Sequence, residues 1–461
     1  MTVDHSYSAT KSIQLTPSGT PGHTHAAGLT AESAKKASEL LTINHNLYHT
    51  RFNAGFHNHI AHHLLSIWAL GATPEEIQRM WDYNARYQIP IEKPERIFSE
   101  ALDLKDPEVF DKCLGSDDYY VDFMRFFEAE IEANGVPAVI HLVHPIIHLG
   151  CALEFNQPSL IAEALAAACV HDNWPKKFLL PAEKYLKTNK NVPSRYLLDV
   201  LESLRSDSEI STAVKPTDPF NKIKDGLLAK ITGEKLAPFL SLFQVGPKIE
   251  DIQAKTRDMM YTCAYMMGAA QRPGKRETLD FVILHCLTLS VFYPAILALD
   301  WLTNEEKARL IESKARCDAV MYAAAGCPDL YPQRVIDYTP RHPEHGWPDL
   351  FHRANIYEDE GHVAKAMRAL YSLEQLPDPV GGFPLTKADF FKIAHMTVDS
   401  TEEALQPGGH NMPNAVRYGV MQNVGRGGDM VVNNMTRWVF YGGVENAWQY
   451  VVDLEEGSSH A

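Results

Sequence analysis

The chain lacks every paired-cysteine signature. Its seven cysteines, at positions 113, 151, 169, 263, 286, 317 and 327, form no C-x-x-C pair and no haem-attachment motif. An odd number at such spacings excludes a disulfide scaffold and a thiolate zinc ribbon. Free thiols in a reducing compartment follow, and the expected location is cytoplasmic. Excess positive charge is also missing: 43 Lys and Arg against 58 Asp and Glu leave a net charge of −15. No basic patch is visible for nucleic acid or an anionic membrane, so a small neutral substrate suits the chain better. The first 28 residues carry no apolar core of a signal peptide, and their Ser, Thr, Pro and Gly content reads as a mobile tail.

Cofactor fingerprints are absent as well. The glycine-rich candidates, Gly425 to Gly428 and Gly442-Gly443, neither follow a strand nor open a dinucleotide-binding βαβ unit. There is no P-loop and no G-x-S-x-G elbow. The longest apolar run, Phe281 to Leu299, could span a bilayer by length. It contains His285, Cys286, Thr288, Ser290 and Pro294 and lacks basic flanks, so it reads as a buried core helix. The chemistry must then come from side chains or a metal.

What is present is helix. Across 461 residues, 45% of them apolar and 22% charged, helical periodicity dominates and strand alternation is scarce. Thr73-Pro74-Glu75-Glu76 is a capping box with proline at the first helical position, after a helix that stops at Gly71. Further helices are expected near 30–50, 119–133, 137–154, 158–171, 195–204, 220–243, 249–270, 278–301, 303–325, 355–375 and 386–396. Breakers cluster at 205–219 and at 327–349, where five prolines forbid regular helix. The expected architecture is all-α: one large helical catalytic domain over 29–461 with a metal site between helices, and an irregular segment over about 406–461 that could cap a site.

The chain holds 21 histidines, most of them in apolar helical segments. In Phe56-His57-Asn58-His59-Ile60-Ala61-His62-His63, a helix puts His59 and His63 one turn apart beside an apolar stripe. A solvated histidine face is the plain alternative. His141, His144 and His148 share one face of a very apolar helix. There Pro145 costs a backbone hydrogen bond that packing alone does not favour. His285 is a lone imidazole on a buried helix, ordinarily a satisfied core residue. In Glu358-Asp359-Glu360-Gly361-His362, the acids suit a helix N-terminus, and His362 shares a face with Lys365. His171-Asp172 matches the dyad of HD-type metal phosphohydrolases, although no sharp match for the remaining ligands is found.

Four segments together resemble the questin oxidase-like family: Asn58-His59 running into Ala69-Leu70-Gly71-Ala72, His144-Pro145-Ile146-Ile147-His148-Leu149-Gly150 with Glu154-Phe155, Asp280-Phe281 leading into His285-Cys286-Leu287-Thr288, and Glu360-Gly361-His362-Val363-Ala364-Lys365. They span about residues 35 to 400, in the family's order. The resemblance implies an all-helical oxygenase of fungal aromatic polyketide metabolism that opens the central ring of an anthraquinone, taken as its hydroquinone, by C–C cleavage with O2.

Two chemistries are implied, an NADPH-dependent Baeyer–Villiger oxidation or a non-haem iron dioxygenase with several histidine ligands and a carboxylated lysine. With four segments supplying imidazoles and no nicotinamide fold visible, iron fits this chain better, and NADPH then serves a separate reductase and is not bound directly. Carried over by the resemblance, the metal ligands are His59, His144, His148, His285 and His362, with Lys365 as the carbamate-bearing lysine. His63 is the alternative on the first helix, and one of His144 and His148 can lie behind the ligands. Phe56, Trp68, Phe155 and Tyr357 are candidates to stack on a flat substrate. The rival readings are an HD-like hydrolase and a helical scaffold with structural histidines.

Overall fold

A computed structural model describes residues 9–52, 56–91, 102–136, 146–407, 409 and 433–454. These residues form helices: α1 Ala31–Leu47, α2 Ile60–Ala69, α3 Pro74–Asn84, α4 Pro107–Cys113, α5 Tyr120–Asn134, α6 Ile146–Glu154, α7 Pro158–Val170, α8 Lys176–Thr188, α9 Leu197–Ser206, α10 Ser208–Ser211, α11 Gly233–Leu240, α12 Ile249–Ala269, α13 Phe281–Ser290, α14 Tyr293–Leu297, α15 Asn304–Ala324, α16 Pro332–Ile336, α17 Trp347–Asn355, α18 His362–Ser372 and α19 Lys387–Glu403. The sheet structure among them is one two-stranded antiparallel ribbon, Arg51–Phe52 with Phe56–His57. One apolar core joins α1 to α19, so the expected all-α class holds. No helix among the described residues is long and apolar enough to cross a membrane. No disulfide joins any of the seven cysteines.

Local chemistry sets the boundaries. The capping box at Thr73 forms as read, its side chain accepting from the Glu76 amide while Glu76 accepts from Thr73. The expected helix over 278–301 is two: α13 ends at Ser290, and α14 restarts around Pro294, which cannot donate to the preceding turn. The segment 220–243 is divided by a wide turn, where the Leu228 amide reaches the Ile223 carbonyl, before Thr232 caps α11. The segment 355–375 becomes helical only at His362, because Gly361 sits at φ +77°. Of 137–154, the helix is described from Ile146; His141, His144 and Pro145 lie outside the described residues.

Residues 9–28 differ from the expected tail. Ile13 and Leu15 are buried in the core, and the amide of Gln14 donates to Gln157. Arg368 on α18 donates to the Thr24 carbonyl and pairs with Glu154 on α6, tying this segment and two helices together. At the other end, the Phe281 amide donates to Val439 and the Val439 amide to Leu279, so the C-terminal stretch docks on the start of α13. Asp280 holds both sides of that junction, capping α13 through the amides of Val282 and Ile283 and accepting from Gly442.

Helix α18 is the centre of the arrangement. It is buried from His362 to Leu370 and packs against α2, α13, α17 and α19. A helix apolar enough to be buried all round ordinarily excludes charge, yet this one carries Lys365 and Arg368 one turn apart.

Candidate functional site

Helices α2, α13 and α18 bring imidazoles around Lys365. The Lys365 charge weighs on His59, His62, His63, His285 and His362, adding to burial in lowering the pKa of each. Burial likewise pulls Lys365 down to about 8, although Asp359 and Glu360 favour its charged form. An ordinary lysine at pH 7 is almost wholly ammonium. At a pKa near 8, roughly a tenth is the free amine.

His59, Glu360 and His362 form one group, each offering one donor atom within 4.8 Å of the others. His59 is not inside a helix as the spacing suggested. It is the N-cap residue of α2, and its Nδ1 lies 3.3 Å from Glu360 Oε2. The His362 ring sits edge-on to His59 at 5.0 Å and to His285 at 5.4 Å. Several polar atoms here are buried without a hydrogen-bond partner: His59 Nδ1, His62 Nδ1, His63 Nε2, His362 Nε2 and Glu360 Oε1. Orphaned polar atoms are uncommon in folded proteins, which makes this group the candidate ligand site.

Neighbouring hydrogen bonds decide which ring nitrogens carry lone pairs. His285 Nδ1 donates to the Phe281 carbonyl at 2.6 Å, leaving Nε2 as an acceptor. His63 is the reverse: Asn84 donates to its Nδ1 at 3.0 Å, so Nε2 carries the proton. The Asn84 amide is oriented by donating to Met80 O and accepting from Tyr87. Of the two imidazoles on α2 considered from sequence, His63 therefore presents an N–H, while His59 holds its Nδ1 beside Glu360.

His148 stands one layer back, with both ring nitrogens engaged. Its Nε2 lies 2.9 Å from Glu163 Oε2, and His62 Nε2 lies 2.9 Å from its Nδ1. Glu163 is anionic: burial raises its pKa, but hydrogen bonds from His148 and His45 outweigh that and hold it at about 2. The carboxylate fixes the order of protons along the chain. His148 donates to Glu163, His62 donates to His148, and His62 Nδ1 keeps a lone pair with no partner. Beyond Glu163, His45 is an imidazolium. Burial disfavours its charge, yet hydrogen bonds to Glu128 and Glu163 raise it to about 9.

Backbone geometry supports the cluster. A Cβ on Gly361 would lie 2.6 to 2.8 Å from Cγ, Cβ and Cα of His63, so this loop can approach α2 only through glycine. Asp359 fastens the turn by accepting from the amides of Gly361 and Val363. The aromatic ring against the cluster, Phe281, is one the sequence did not single out. Trp68 and Phe155 are core residues packed on each other, and the Phe56 side chain lies outside the described residues. Phe281 instead touches His285 and His362 with ring centroids 4.8 and 4.7 Å apart, and Phe440 backs it at 4.9 Å. His171 stacks on His57, but Asp172 points away and pairs with Lys224 at the surface. The HD dyad does not come together with the cluster.

Sequence reasoning missed Glu360 as a donor, His62, and the support from Asn84, Glu163 and His45. The His59-x-x-His62 spacing was a usable signal for His62; an acid just before a helix gave none for Glu360.

These are the segments that the family model for questin oxidase-like proteins matches, over residues 56–143 and 141–370. The chain belongs to the questin oxidase-like family. Among curated relatives, it is 42% identical to the oxidoreductase AflY of Aspergillus parasiticus over 99% of this chain and 96% of that protein. It is 36% identical to a questin oxidase of Aspergillus fumigatus, covering 79% and 88%, and 34% identical to the Baeyer-Villiger oxidase ptaJ of Pestalotiopsis fici, covering 80% and 88%. This family member is thus an oxidoreductase of the oxygenase type.

Proposed function

We propose that the protein opens the central ring of an anthraquinone-type polyketide, taken as its hydroquinone, by O2-dependent C–C cleavage at a non-haem iron held between α2, α13 and α18. The observation that carries this reading is the set of converging, buried and unpartnered donor atoms around Lys365. The donors fit Fe(II). Imidazole with a hard anionic oxygen suits it, whereas thiolates, which select other metals, are absent from the set.

His59, His285 and His362 would hold the metal together with Glu360, and His62 offers its free Nδ1 beside them. Lys365, as its carbamate, would add a second anionic oxygen. Of the sequence candidates, His148 acts through His62, fixing that ring's proton, and His144 lies outside the described residues. The iron, when bound, would supply the binding and activation of O2. The chain's own residues do the rest. Phe281 and Phe440 offer a flat apolar surface against the imidazoles. Burial raises the pKa of Glu360, and the neighbouring Tyr87 and the Lys365 charge oppose that shift. Burial keeps the ligand imidazoles neutral, so their lone pairs are free at neutral pH.

The relatives named as Baeyer-Villiger oxidases favour a second reading, insertion of one oxygen atom next to the same carbonyl with NADPH as reductant. Labelled O2 separates the two. Purified enzyme given a reduced anthraquinone under 18O2 should yield a benzophenone-type acid carrying both atoms of one O2 without added NADPH. One labelled atom and a strict need for NADPH would instead support the insertion. Intact-mass analysis under CO2 should show Lys365 heavier by one CO2, and the Lys365→Arg variant should lose both the adduct and the metal. An unmodified Lys365 in fully active, metal-loaded protein would remove the carbamate from the scheme.

A further inference from the structure

A cation inside a protein is tolerated when an anion or several carbonyls face it, because the desolvated charge is otherwise too costly. The buried Lys and Arg side chains among the described residues mostly obey this. Lys222 donates to three backbone carbonyls, Lys314 pairs with Asp318, Arg316 with Glu312, and Arg368 with Glu154. Lys365 is accounted for by carboxylation in the function proposed above. That leaves Arg437. It is only 4% exposed, and its Nε and Nη1 are buried with no hydrogen-bond partner.

The position of Arg437 is fixed. Its guanidinium lies over the Tyr357 ring at 4.5 Å, and the Tyr357 hydroxyl is itself tied to the Thr401 carbonyl. Tyr83 on α3 donates to Asn434, three residues before Arg437, which fastens this segment to α3. Tyr83 also lines a surface cleft of about 480 Å³ with Arg79, Arg86 and Glu358, two residues before the cluster carboxylate. Trp438, next to it in the chain, packs on Phe281 at 6.2 Å, and Tyr357 under the guanidinium precedes Glu360 by three residues, which sets Arg437 beside the cluster. One face of the fork is thus covered by an aromatic ring, and its N–H edge is left free beside the donor cluster.

We propose that Arg437 is the oxyanion-recognition residue of this site, taking an ionised oxygen of an aromatic ligand: the carboxylate of the ring-opened acid, and the phenolate of the hydroquinone that precedes it. The inference rests on the ring-cleavage reading and adds the group that recognises charge. A guanidinium suits this role because its planar fork matches a carboxylate in two parallel hydrogen bonds, each stronger than a neutral one, and it stays charged at every working pH. Its stack on Tyr357 holds the fork in place before the ligand arrives, which limits the ordering cost of binding.

The test compares two probes of one shape, 2-benzoylbenzoate and neutral benzophenone, titrated calorimetrically into the anaerobic holoenzyme. The wild type should bind the acid at least about tenfold more tightly than the ketone. Arg437→Gln should lose that preference while keeping its affinity for benzophenone and its iron content. Arg437→Lys, which keeps the charge but not the fork, should keep part of it, and it carries the test if the glutamine variant fails to fold. A preference that passes unchanged through either folded variant overturns the role of Arg437, as does a wild type that binds both probes equally. A wild type that binds neither overturns the aromatic-substrate reading of the site, and this inference with it.

Discussion

Replacing Gly361 with alanine tests whether the loop between Glu360 and His362 is the hinge point of the cluster. Two costs act on the substitution. At φ +77° a side chain pays about 1–2 kcal/mol for left-handed backbone. The added methyl also meets His63 at 2.6 to 2.8 Å, against backbone and the root of a buried side chain, neither of which can swing aside. Overpacking of that kind adds about 1–3 kcal/mol. The expected destabilisation is then about 2–5 kcal/mol. Gly382 supplies the control, with φ +87° and nothing within 4 Å of its added Cβ. Gly382→Ala should show only the backbone cost. Urea unfolding of the three proteins gives the comparison, and the iron content of each gives the second readout, because Glu360 and His362 flank the displaced residue. A Gly361→Ala protein within about 0.5 kcal/mol of the Gly382→Ala control, with iron unchanged, would refute the close-approach argument.

Further outcomes follow from the imidazole network. His45 is raised from 6.5 to about 9, so its contribution is fully present below pH 6.5 and is lost as pH rises through 9. The loss is on the order of 3 kcal/mol. Urea midpoints of wild type and His45→Gln, followed from pH 6.5 to 10, should converge; parallel curves would contradict the buried imidazolium. His62→Gln should lower iron retention after anaerobic desalting by about tenfold or more, whereas His63→Gln should retain iron, since its ring presents an N–H. The opposite ranking would reverse the proton assignment. Asp172→Asn should leave turnover and iron within experimental error, because that carboxylate meets only Lys224 at the surface. A large loss there would revive the hydrolase reading.

The histidine-bearing helices were readable because helical periodicity and cap chemistry act locally. His362 and Lys365 share a face by spacing alone, whereas His285 reads from sequence as an ordinary core imidazole and becomes a ligand candidate only through the family resemblance. The same rule misjudged α2. It assumes that every residue of the segment is helical, but α2 begins at Ile60, so His59 leaves the helical phase as an N-cap, with the His62 ring 5.8 Å from it. Glu360 looked like an acid complementing a helix terminus, and only the left-handed turn at Gly361 brings it beside His59. Residues 9–28 have the composition of a tail, yet Ile13 and Leu15 find a groove that local sequence cannot reveal. Arg437 had no signal at all, lying in a segment without periodicity, and its meaning comes from what surrounds it.

The central claim is that this cluster holds iron. Inductively coupled plasma mass spectrometry of wild-type protein, purified without chelator and reconstituted anaerobically with Fe(II), addresses it most directly. The account predicts close to one iron per chain, lost in the His362→Ala variant. Fully active protein free of any first-row metal, or iron bound equally well without His362, would contradict it.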